Sequence, residues 1–400
     1  MLREDAMQCI GKVLVGLAGL AMLFGPSSAS AQDTIKIGVI LPYSGQFADT
    51  ATQLDGGIKL YMKQHGDTVA GKKIEIIRKD SGGVAPDVAK RLAQELVVRD
   101  NVSILAGFVL SPNTLAAADV SAQAKKLMVV MNAGASLIMT KSPYVTRVSI
   151  TLPQAAEAFG GWAAKSGIKK VYSMVSDFAP GHDAEAGFQR AFKEGGGEIV
   201  GSVRFPVANP DFSAFIQRAK DLSPEAIFLF VPAGAQPAAF GKAVAERGLD
   251  PKVVKILGTG ETTAEQALKS MGGAALGIVT AWNYDYNDDS QLNREFVKQF
   301  NEMNKRNPDF MSVGGYDGMH LIYETLKKAA GKTDADSLIA GVKGMNWQSP
   351  RGSIAIDPEF RDIVQTIYIR RVERVGGELR NVVLDKVENV RDPVLARMKN

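Results

Sequence analysis

The chain has 400 residues, of which 46% are hydrophobic, 22% charged and 7% aromatic, with a formal net charge of +4. It is long enough for two domains, too apolar for a disordered chain and too polar for a bundle of membrane helices. No run of Lys or Arg is long enough to neutralise consecutive phosphates, which argues against a nucleic-acid partner, and the single cysteine, Cys9, leaves no pair for a disulfide or thiolate metal site.

The first segment is apolar from Val13 to Phe24, follows Lys12, stops at Gly25-Pro26 and leads to Ala29-Ser30-Ala31. Small residues after a short apolar run are the pattern of a signal peptidase site. Residues 1–31 are therefore expected to be a removed secretory signal, with Gln32 as the mature start and the periplasm as the destination. An anchor crossing a bilayer would need about 20 apolar residues, more than this run supplies. Cys9 precedes the run, away from the position a lipid-modified cysteine would hold. Glu4 and Asp5 are unusual in a leader and leave Met7 as an alternative start.

Short β-branched runs then alternate with helical patterns, the signature of parallel sheets covered by helices. Strands are expected at Ile35 to Leu41, Lys73 to Arg78, Ile104 to Ala106 and Met128 to Met131. Leu54, Ile58, Tyr61 and Met62 form the buried stripe of an intervening helix, whose Gly56 and Gly57 suggest close approach to a strand. Pro86 starts a second helix, buried along Val88, Leu92 and Leu96. After a boundary near Ile150 to Pro153 the series restarts. Strands are expected at Lys170 to Ser176, Glu198 to Phe205, Ala226 to Val231, Val253 to Leu257 and Leu276 to Ala281, with helices through Phe188 and Phe192 and through Phe212 to Ala219. Two further helices, Leu292 to Met303 and Tyr316 to Ala330, precede two strands within Arg351 to Arg371, and the residues after Val390 read as a loose tail.

The expectation is an α/β protein of two doubly wound parallel-sheet lobes with a ligand cleft between them. Residues 32–151 and 282–360 are assigned to lobe 1, 152–281 and 361–390 to lobe 2, and 391–400 to the tail. The order of elements, together with Ile37-Gly38-Val39-Ile40-Leu41-Pro42-Tyr43-Ser44-Gly45, Ala106-Gly107-Phe108, Ser176-Asp177-Phe178-Ala179-Pro180-Gly181 and Gly315-Tyr316-Asp317-Gly318, resembles the leucine/isoleucine/valine-binding family of solute-binding proteins of ABC importers. The resemblance implies a type I periplasmic binding protein, with lobes joined by a multi-stranded hinge and an ABC permease as membrane partner.

Ligands of open α/β sheets bind beyond the carboxyl ends of the strands. This directs attention to loops 42–46, 108–114, 132–136, 177–183, 232–236, 260–262 and 282–284. By resemblance, a ligand carboxylate is held at Leu110, Ser111, Gly134 and Ser136, although a serine at such a place often does no more than cap a helix. Glu261 is the candidate partner for an ammonium. The aromatic residue that should accompany it is replaced near Pro180, which tells against an amino acid. Tyr43, Phe108, Phe178, Trp282 and Tyr284 gather on the same loops and suit the face and edge of a ring. His182 could donate a hydrogen bond, and Gln236 completes the candidate ligand set.

Ala330-Gly331-Lys332-Thr333 lacks the first glycine of a phosphate loop, and Gly258-Thr259-Gly260 lacks the final glycine of a dinucleotide fingerprint. His65, His182 and His320 are dispersed, and no protease or esterase motif occurs. The expected protein is a monomer without enzymatic activity, cofactor or metal. It closes on a small carboxylate, preferably a benzoate or hydroxycinnamate, for delivery to the permease. A branched-chain amino acid is the alternative ligand, and ligand sensing is the alternative role for the same fold.

Overall fold

The computed structural model describes residues 33–399, so the expected leader and Gln32 lie outside the described residues. The chain begins with β1 (Thr34–Leu41), a 3₁₀ turn over Gly45–Phe47, α1 (Ala48–His65), β2 (Thr68–Val69), β3 (Lys72–Asp80), α2 (Pro86–Val98), β4 (Ile104–Gly107), α3 (Ser111–Ala124), β5 (Leu127–Val130) and β6 (Val145–Arg147). These strands form one sheet in the order β2-β3-β1-β4-β5-β6, parallel except for the β2–β3 pair. β1, β4 and β5 read as near-continuous apolar runs because helices cover both faces of the sheet.

The second series comprises α4 (Leu152–Lys165), β7 (Lys170–Ser176), α5 (Ala179–Glu194), β8 (Glu198–Phe205), α6 (Phe212–Leu222), β9 (Ala226–Phe230), α7 (Gln236–Glu246), β10 (Lys255–Thr259), α8 (Glu265–Met271) and β11 (Val279–Trp282). Its strands pair in parallel in the order β8-β7-β9-β10-β11. The chain then returns to the first sheet as α9 (Gln291–Asn304), α10 (Phe310–Lys328) and α11 (Ala335–Val342), with α10 and α11 against that sheet and α10 along α1. Finally β12 (Asn346–Ser349), β13 (Gly352–Ile356), β14 (Ile363–Val375) and β15 (Glu378–Val390) extend the second sheet in antiparallel fashion, and α12 (Pro393–Met398) follows. β12 and β13, inside the range expected for the first lobe, thus join the second sheet through β14. No helix among the described residues is long and apolar enough to cross a membrane.

Several local expectations require correction. Gly57 permits close approach to a helix, not a strand: a Cβ there would lie 1.9 Å from the Ser312 carbonyl oxygen of α10, and one on Gly315 would lie 2.1 Å from that of Leu54. β10 begins at Lys255, because Val253 stands 73% exposed in the preceding turn. β11 begins at Val279 and α10 already at Phe310, where Asp309 and Ser312 form a reciprocal capping box. The supposed loose tail is ordered: Asp392 caps α12, Leu395 is buried in the outer core of the first sheet, and Asp392 accepts a hydrogen bond from the Ser136 hydroxyl.

Candidate functional site

The carboxyl ends of strands from both sheets converge on one pocket. From the first sheet come Phe47 and Thr50 after β1, Val109, Leu110 and Ser111 after β4, and Asn132 and Gly134 after β5. The second sheet contributes Phe178 and Pro180 after β7, Phe230, Pro232 and Ala233 around the end of β9, and Glu261 after β10. Leu152 and Met311 complete the lining, at the starts of α4 and α10. The space unfilled by protein atoms is about 410 Å³, part of it open to solvent. The walls are mainly apolar, with few polar groups, the usual make-up of a site for a small organic molecule.

The first-sheet wall is held by hydrogen bonds between its loops. Ser111 Oγ accepts from the Ala135 N–H at 3.2 Å, and Asn132 Nδ2 donates to the Val109 carbonyl at 3.1 Å. The serine hydroxyl proton is left to be donated elsewhere. No side chain caps α3, whose first turn contains Ser111 and Pro112 and faces the pocket. Behind Gly134, the fully buried Arg147 donates to the carbonyls of Ala133 and Ala135 at 3.1 and 2.9 Å and pairs with Asp362 at 2.9 Å. Burial works against the charge on Arg147, but Asp362, Asp392 and Asp183 outweigh it and hold the guanidinium above its ordinary range.

On the opposite wall, α5 and α7 also start without a side-chain cap. The turn from β7 into α5 is tight enough that a Cβ on Gly181 would lie 1.9 Å from the Ser176 carbonyl oxygen. Phe178, at the start of that helix, meets Phe230 with ring centroids 5.9 Å apart and planes 35° from parallel. The Glu261 loop rests on Trp282, since a Cβ on Gly260 would come within 2.0 Å of the indole ring. β15 secures its far end, with Asn381 Nδ2 donating to the Thr263 carbonyl at 2.8 Å.

Glu261 is only 7% exposed, and its Oε2 has no hydrogen-bond partner among the described residues. Burial pushes its carboxyl up to about 8, so the group is chiefly protonated at pH 7. Beyond it lies a second, wider chamber of about 970 Å³, also partly open, bordered by Gln46, Asp49, Gln266 and Lys269. Thr50, Ala233, Glu261 and Met311 belong to both chambers, whereas Ser111, Asn132 and Gly134 line only the inner one.

Of the residues singled out from sequence, Leu110, Ser111, Gly134, Phe178 and Glu261 meet in the inner pocket. The others lie outside its lining. Tyr43 sits beside Asp55 and Arg78, where burial chiefly raises its phenol. Phe108 has a φ of +67° and turns its ring into the outer core with Leu105 and Ile138. Ser136 gives its hydroxyl to Asp392 and its N–H to Asp183, at 3.0 Å, from the other sheet. His182 Nε2 lies 2.7 Å from Asp177 Oδ1 near the surface, and Gln236 bonds Ser176 and the Val207 carbonyl. Trp282 is fully buried against Phe310, and Tyr284 donates to Asn293 at 2.9 Å. Phe47, Thr50 and Phe230 fall just beyond the loops picked out from sequence, whereas Leu152 and Met311 come from helix starts far from any of them. For Met311, the Asp309 to Ser312 capping box was the available signal.

A family model described as "Periplasmic binding protein" matches residues 34–378. The Leu/Ile/Val-binding protein homolog 6 of Brucella melitensis is 41% identical over 384 residues, covering 95% of this chain and 98% of that protein. A solute-binding protein of an ABC transporter from Rhodopseudomonas palustris BisB5, in complex with 3,4-dihydroxy benzoic acid, is 54% identical with a TM-score of 0.88. It covers 91% of this chain and 100% of its own. A second, from R. palustris HaA2 in complex with p-hydroxybenzoic acid, is 40% identical with the same TM-score and coverage. With two parallel-dominated sheets meeting at a shared pocket, and similarity along nearly the whole described chain, this protein belongs to the periplasmic binding protein family, within the leucine/isoleucine/valine-binding type that serves ABC importers.

Proposed function

We propose that this protein captures a small aromatic carboxylate, of the benzoate or hydroxycinnamate type, in the periplasm and delivers it to an ABC permease without making or breaking a bond. The observation that carries the reading is the ring-lined pocket, with Phe47, Phe178 and Phe230 on its walls and the uncapped start of α3 at one end. A carboxylate there gains charge-assisted hydrogen bonds from backbone N–H groups and the Ser111 hydroxyl, and the aromatic walls cover the ring. The aromatic acids held by the two R. palustris proteins support the same ligand class. Residues 1–31 serve as the export signal, the protein acts as a monomer, and closure of the lobes about their connecting strands retains the ligand.

A branched-chain amino acid is the second reading, favoured by an acidic residue in the pocket and by the name of the Brucella relative. Against it stands the presence of Pro180 where an amine-facing aromatic would be expected. A thermal-shift series separates the two. At about a hundred times its dissociation constant a ligand stabilises by about 2.7 kcal/mol, enough to raise the melting temperature by a few degrees. Benzoate and 4-hydroxybenzoate are expected to give that rise and leucine none; a rise with leucine alone overturns the aromatic reading.

A further inference from the structure

The two chambers meet at Glu261, and the polarity of the pocket follows from which residues they share. Ser111, Asn132 and Gly134 stand at the end that the outer chamber does not share. Glu261 stands at the doorway, more than nine-tenths buried; the Thr259 hydroxyl lies beside its carboxyl, yet Oε2 makes no well-formed hydrogen bond among the described residues. A buried polar atom left without a partner is costly, so its retention at this point calls for a group that completes it. Gln266 Nε2, on the wall of the outer chamber, is likewise buried without a partner among the described residues.

We infer that Glu261 reads the ring hydroxyl of an aromatic acid whose carboxylate lies at the Ser111 end and whose opposite edge faces the outer chamber, so that the protein selects ring-hydroxylated acids over benzoate itself. The inference rests on the aromatic-acid reading above. A protonated carboxyl both donates and accepts, as a phenol does, so the two groups can satisfy each other without a net charge in an apolar site. Thr50, Ala233 and Met311, which share the doorway with Glu261, supply one hydroxyl and no second carboxylate to that point, and the Thr50 hydroxyl already donates to the Phe47 carbonyl. A site built around a ligand hydroxyl discriminates against the analogue lacking it, because the site's own polar group is then left unpaired.

The test is isothermal titration of the purified chain, freed of carried-over ligand, with 4-hydroxybenzoate, benzoate and leucine, in the wild type, Glu261→Gln and Glu261→Leu. The wild type is expected to prefer 4-hydroxybenzoate over benzoate by about tenfold or more. Glu261→Leu should lose that preference by weakening the hydroxylated acid and sparing benzoate, and Glu261→Gln, still both donor and acceptor, should keep most of it. Thermal melts check folding, and Glu261→Leu is not expected to melt lower because it removes a buried unpartnered carboxyl. Wild type that binds both acids equally overturns the inference and leaves the aromatic-acid reading standing, whatever the variants do. Equal loss of both acids in Glu261→Leu also overturns it, and binding of leucine with neither acid overturns both readings.

Discussion

Ser111 and Ser136 look alike in the sequence, each on a polar loop after a first-sheet strand, yet they are put to different use. Ser111 Oγ accepts from the Ala135 N–H and faces the pocket, whereas the Ser136 hydroxyl is committed to Asp392. Ser111→Ala should therefore weaken binding of an aromatic carboxylate by about 1 to 3 kcal/mol, the range for hydrogen bonds to charged groups. Ser136→Ala should leave affinity nearly unchanged and lower the melting temperature, since Asp392 loses a partner. Calorimetric titration beside a thermal melt distinguishes the two, and the opposite pattern would place the carboxylate at Ser136. The aromatic residues show why side-chain direction was the hardest feature to read. Tyr43, Phe108, Trp282 and Tyr284 lie on the correct loops, but successive residues of an extended chain face opposite ways, and nothing local states which face meets the cleft. For Phe108 the answer depends on a left-handed backbone that the sequence does not announce.

At the scale of the element, patterning located what packing demands. β7 and β8 match the apolar runs Lys170 to Ser176 and Glu198 to Phe205 from end to end. β15 was not legible because most of its residues are exposed on both sides, which removes the alternation by which a half-buried strand is recognised. Its available signal was Gly376-Gly377, both with positive φ, at the turn from β14. α12 escaped for another reason: a helix of one or two turns has too few residues for periodicity, and only the Asp392-Pro393 start marks it. Deleting residues 391–400 should cost several kcal/mol, because it uncovers the site of Leu395, removes a partner from Ser136 and takes one carboxylate from beside Arg147. Urea denaturation of the shortened chain measures this cost; an unchanged midpoint would show that α12 rests on the fold without supporting it.

For the molecule as a whole, the functional state depends on the two sheets meeting across the pocket. They touch where the Ser136 N–H reaches Asp183 and where Gly234 lies against the Gln46 carbonyl. Gly234 has a φ of +111°, and a Cβ there would stand 2.7 Å from that oxygen. Gly234→Ala should wedge the cleft and reduce the closed population, so that affinity falls by about tenfold when only a tenth of molecules can close. Small-angle scattering with saturating ligand should then show a larger radius of gyration than for the wild type. Unchanged affinity and radius would separate this contact from closure.

The contact between Asp392 and Ser136 also sets an order in time. Asp392 and Leu395 follow every strand of both sheets in the chain. Until they arrive, the hydroxyl on the loop following β5 has no carboxylate to hold it and the segment of α12 has no place on the first sheet. The cleft is thus completed by a segment that follows all of its walls in the chain, so both sheets can form before the binding site is settled.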